Sequence, residues 1–233
     1  MLTMKIKLPH FRGRAVFGLL PLILALLCCQ EVSAQTDNEK FTTTFINKFF
    51  KNAKAPNQFD GLVPGATVSD FMSKSQYAPY LNVSDDYWIM PIRGGNHTTG
   101  RIDPYPEIPI MDGVTLYMIA LEFLPNEFFP ERPLTTQINA IDYRFRFTGE
   151  AEDMVILASS AITNKIAELY GITLTRDRRR DFFYGWKNGI GFIVNSNYGV
   201  DEVRVSVILN VKTKEDMEHA ADLFQYRLDV TVY

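Results

Sequence analysis

The chain has 233 residues, of which 46% are apolar and 22% charged, with a formal net charge of −3 and two cysteines. It is long enough to bury one sizeable core, too apolar to be disordered, and too acidic for a general nucleic-acid binder. No repeat of solenoid length and no low-complexity tract interrupts it.

The N-terminus reads as an export signal. Lys5, Lys7, Arg12 and Arg14 precede an uncharged apolar stretch over 15–29, and Val32 and Ala34 place slim side chains where a signal peptidase reads them. The stretch is shorter than the roughly 20 residues of a membrane-spanning helix, and Pro21 interrupts it. The expectation is a cleaved signal peptide over 1–34 and a single exported α+β domain over 35–233. Cleavage removes four basic residues and one acid, which shifts the formal charge from −3 to −6. Cys28 and Cys29 leave with the signal, so the mature chain has no thiolate for a disulfide, a metal or nucleophilic attack. A disulfide-free exported domain fits a periplasmic or bacterial extracellular location.

Phe41, Phe45 and Phe49 recur at helical spacing and predict a helix over 41–54, closed by Pro56. Lysines beside that stripe raise two readings: a helix lying on a membrane surface, or one docking its rings on a core. Ser69, a good N-cap, opens a short helix over 69–74. A strand over 87–92 follows, then a glycine- and proline-rich irregular stretch over 93–113. Apolar residues on both alternating faces over 114–124 predict a strand buried on both sides. Over 138–148, Ile141, Tyr143, Phe145 and Phe147 face one way and Asp142, Arg144 and Arg146 the other, the pattern of a half-buried strand.

The strongest helix signal spans 150–170, with Glu152 and Asp153 in the first turn and Gly171 as its stop. Strands over 172–175, 182–186, 190–195 and 202–211 come next. They are joined by an arginine turn, by Asn188 and Gly189 in a type I′ hairpin pattern, and by Asn197 to Gly199. A last helix opens at Thr213, with Asp216 three residues on. The fold class is therefore α+β: an antiparallel sheet with helices on one face and two irregular helix-plus-three-strand repeats.

No phosphate loop, nucleophile elbow, zinc-binding helix motif or EF-hand loop is present, so no cofactor and no metal site is assigned. Glu215, His219 and Asp222 share a face of the last helix, opposite its apolar residues, and read as that helix's solvated side. His97 lies in a glycine-rich loop with Arg93 and Arg101, two further partner-binding candidates that would complement an anion, and Asp85 or Asp86 upstream would orient it as a general base in a secreted hydrolase. Arg176, Arg178, Arg179 and Arg180 concentrate positive charge beside Tyr184 and Trp186, the composition of a surface for an anionic partner. The leading functional expectation is a non-catalytic exported protein that binds another protein or an envelope component, with no nucleic acid and no transmembrane helix in the mature chain. The hydrolase is one alternative. The other is an envelope-associated accessory protein held by the helix over 41–54.

Overall fold

The alternating apolar positions of the chain meet in one antiparallel sheet. The computed structural model describes residues 37–80, 88–91, 98–102, 107–123, 135–149 and 151–230. The chain divides into two compact units, Met1–Phe41 and Thr42–Tyr233. Of the first, only 37–41 is described, as the opening of helix α1, which covers 37–49.

The remaining elements are α2 (Val68–Lys74), β1 (Trp88–Pro91), β2 (Thr98–Ile102), β3 (Ile108–Met111), β4 (Val114–Phe123), β5 (Ile138–Phe147), α3 (Ala151–Tyr170), β6 (Thr175–Asp177), β7 (Phe182–Lys187), β8 (Gly189–Asn197), β9 (Glu202–Val211) and α4 (Lys214–Val230). The strand order is β1-β2-β4-β5-β9-β8-β7-β6, with β3 paired to β4 off that path. Every pairing is antiparallel. β2 and β3 lie along the same edge of β4, β2 opposite 119–123 and β3 opposite 114–116. They are two segments of one interrupted strand.

With that continuity the sheet is a palindrome. A helical stretch followed by a four-strand meander occurs twice: α1 and α2, then β1, β2/β3, β4 and β5, and α3, then β6, β7, β8 and β9. The closing strands β5 and β9 pair at the centre, Tyr143 opposite Val205. The expected repeat is present with four strands rather than three.

One face of the sheet carries Leu116, Tyr143, Phe145, Val194, Val205 and Val207, all buried. Against it lie α3, through Val155, Ala158, Ile162 and Ile166, and the chain from Thr42 to Tyr80. Phe45 meets Phe145 edge-on at 5.3 Å and Phe49 meets Tyr143 at 5.5 Å. The helices cover both faces of the sheet rather than one. Helix α4 takes the opposite face, where Met217, Ala220, Ala221 and Phe224 cluster with Phe182, Ile193 and Ile208. Strands β8 and β9 are buried on both sides, the α4 side mixing Ile193 and Ile208 with the polar Asn195, Arg204 and Ser206, so each side needs its own cover.

Four local expectations are corrected. Helix α1 ends at residue 49, not 54, and its Phe45 and Phe49 are core residues at 0% and 1% exposure. Those two rings of the stripe face the sheet rather than the outer surface of the helix. Helix α2 is capped by Thr67, whose hydroxyl accepts from the Asp70 amide while the Asp70 carboxylate accepts from the Thr67 amide at 2.9 Å. The stretch over 93–113 contains β2 and β3; Gly100 and Pro109 obscure them, and Pro109 is tolerated because β3 is a flanking strand. The strand expected over 172–175 begins at Thr175, and Ile172 instead packs across β7 beside Gly185.

The signals at the other hairpins and helices act as read. Asn188 and Gly189 both adopt positive φ, 54° and 82°, and turn β7 directly into β8. At α4 the Thr213 hydroxyl accepts from the Asp216 amide at 3.1 Å, and Asp216 accepts from the Thr213 amide at 2.8 Å.

Candidate partner-binding surface

The arginine turn joins β6 to β7 at one edge of the sheet. Asp177 organises it: its carboxylate accepts from the amides of Arg179 at 2.9 Å and Arg180 at 3.2 Å, closing an Asx-type turn. Asp181 takes a left-handed conformation at φ 51°, and its carbonyl accepts from the Asn195 side chain on β8 at 3.0 Å. The four arginines then separate into two pairs. Arg176 is held by Asp181 at 2.7 Å, and Arg180 reaches both Asp177, at 3.4 Å, and Asp222 on α4. Arg178 and Arg179 are exposed, with no carboxylate on their guanidinium groups among the described residues.

The aromatic residues beside the turn divide as a half-buried strand requires. Phe182 is in the core, edge-on to Phe224 at 5.4 Å and to Tyr184 at 6.1 Å. Tyr184 and Trp186 are half-buried against the α4 cluster, so each presents one edge to solvent. The structure therefore brings Arg176, Arg178, Arg179, Arg180, Tyr184 and Trp186 onto one hairpin. Arg101 lies in β2, its backbone opposite Trp88 and Ala120, on the far side of the β5–β9 seam. Arg93, His97, Asp85 and Asp86 lie outside the described residues. On α4, Asp222 is engaged by Arg180, and among the described residues no group of three His, Cys, Asp or Glu side chains is placed to hold a metal ion.

Two polar clusters escaped the sequence reading. The first lies on the α4 side of the sheet. Asp142 and Arg204 form a salt bridge at 2.5 Å with side chains 0% and 1% exposed, and the Arg204 guanidinium stands 4.2 Å over the Phe224 ring. Arg144, Ser206 and Glu122 are buried on the same face. The expected solvent-facing row of β5 is thus mostly internal; only Arg146 is exposed, stacked on Tyr117 at 4.2 Å and paired with Glu107. The Tyr117 hydroxyl donates to Glu202 at 2.5 Å, and burial with that carboxylate pushes its pKa up to about 12.

The second cluster surrounds Asp60 on the α3 side. Asp60 and Gly61 are both left-handed, at φ 50° and 79°, and Phe59 and Leu62 exchange backbone hydrogen bonds across them at 2.9 and 2.8 Å. This miniature hairpin aims the Asp60 carboxylate inward, where it is 1% exposed. It accepts from the Ser75 hydroxyl, from the Gln76 amide at 2.9 Å and from the Tyr143 hydroxyl at 3.2 Å. Burial dominates and raises its pKa from 3.8 to about 6, against the opposing effect of those three donors. Asp-Gly between apolar residues is a hairpin signal, and it was the one available sign of this site.

No protein-family model matches the chain, and no curated protein or solved structure matches it either. No helix among the described residues is long and apolar enough to cross a membrane.

Proposed function

We propose that this is an exported, non-catalytic protein of the periplasm or cell exterior that captures an anionic macromolecular partner through the β6–β7 hairpin. One observation carries the reading: Arg176 and Arg180 are paired with carboxylates, while Arg178 and Arg179 at the tip of the same turn are exposed with no carboxylate partner among the described residues. A turn that served solubility alone would not need its contacts with Asp222 on α4 and Asn195 on β8. Arginine's planar guanidinium suits bidentate contact with carboxylate or phosphate groups, and the adjoining edges of Tyr184 and Trp186 offer amphipathic contact area.

The test is capture of partners from an envelope extract by the mature protein and by Arg178→Glu/Arg179→Glu. The double reversal is expected to lower retention at least tenfold while leaving the unfolding midpoint unchanged, because both residues are exposed. Equal retention by the two proteins would refute the assignment.

A further inference from the structure

We propose that Asp60 is a proton-operated clasp: with its carboxyl protonated, the segment 59–77 is held tightly on the sheet, and losing that proton loosens the segment. This is independent of the arginine hairpin, which lies on another part of the sheet.

The geometry places one ionisable group at the joint between two bodies of structure. Residues 59–77 contain the Asp60 turn, helix α2 and Tyr77, and they lie on the face formed by β5 and β8. Phe59 touches Tyr143 at 5.8 Å and Phe192 at 5.9 Å, and Tyr77 touches Tyr143 at 5.6 Å. Asp60 ties both ends of the segment together through Ser75 and Gln76, and ties the whole to β5 through Tyr143. The groups facing it are tyrosines: Tyr77 beyond α2, Tyr143 on β5 and, behind Tyr143, Tyr170 on α3. Burial raises the pKa of all three above the usual phenol range, so they stay neutral wherever Asp60 titrates. No lysine or arginine among the described residues offsets its charge.

The Tyr77 hydroxyl is buried without a hydrogen-bond partner among the described residues. A carboxyl buried this deeply with no cation beside it is favoured in its neutral form. The direction follows by linkage. Closed, the group keeps its proton up to about pH 6; released to solvent, it titrates near the ordinary 3.8. The closed form therefore binds more protons between those values, and its advantage is full below about pH 4 and lost as pH rises through 6.

Hydrogen exchange on the full chain between pH 4 and 7 tests this. Protection factors for amides of 59–77 are expected to fall roughly hundredfold across that range, the size of a two-unit pKa difference. Asp60→Asn, neutral at every pH, is expected to show a flat profile. Wild-type protection constant within twofold, or an unchanged slope in Asp60→Asn, overturns the proposal. Should that variant not fold, Ser75→Ala serves: it removes a donor that favours the ionised form, so the midpoint moves up in pH, and an unmoved midpoint overturns the proposal. Carboxyl carbon NMR of Asp60 in the unaltered chain reads the same event, and a midpoint near pH 4 would also sink it.

Discussion

Asp142 and Arg204 show how a charged residue becomes internal in this protein. They stand on adjacent strands two residues out of register, and so diagonally on one face, since Arg204 is opposite Arg144 and Asp142 opposite Ser206. Each arginine would repel the other across the ladder, and the diagonal carboxylate and the Phe224 ring offset that repulsion. Removing one member of such a pair leaves a desolvated charge behind. Asp142→Ala is therefore expected to cost about 3–5 kcal/mol in urea unfolding, far more than loss of the exposed Arg146–Glu107 pair, worth about 0–1 kcal/mol. At this scale the alternation of β5 was readable but its outcome was not. Polar residues at every second position look the same whether they face water or a second layer.

At the scale of elements, local chemistry decided most boundaries. The capping box of α4, the acidic first turn of α3 and the Asn188–Gly189 turn each depend on residues within four positions of one another, and each formed where it was read. Helix α2 began a residue earlier because Thr67 and Asp70 complete a reciprocal cap that Ser69 cannot. The Asp60–Gly61 hairpin is open to disruption by a single change. A side chain at Gly61 would take an unfavourable φ of 79° and meet the Lys74 carbonyl oxygen at 2.9 Å. Gly61→Ala is expected to destabilise by about 1–3 kcal/mol and to weaken amide protection in α2 before that of β8 and β9, measured by native-state hydrogen exchange.

For the molecule as a whole, the palindromic sheet makes α4 indispensable. The sheet face beneath it carries Phe182, Ile193 and Ile208 beside the Asp142–Arg204 pair, a surface that neither water nor the helices of the other face can satisfy. A chain ending at Lys212 is expected to bind a hydrophobic dye and to lose its cooperative thermal transition. A truncated protein that melts sharply and stays dye-free would show that two layers suffice.

Sequence alone determined the helices, the antiparallel pairing of the hairpins and the arginine turn, because each follows from periodicity or from contacts between near neighbours. Only the tertiary structure decided that β2 and β3 are one interrupted strand, that α4 crosses to the opposite face, and that Asp142, Arg204 and Asp60 are buried. Those outcomes depend on partners as many as 83 positions apart, as Asp60 and Tyr143 are, and residues so distant leave no local pattern where they meet.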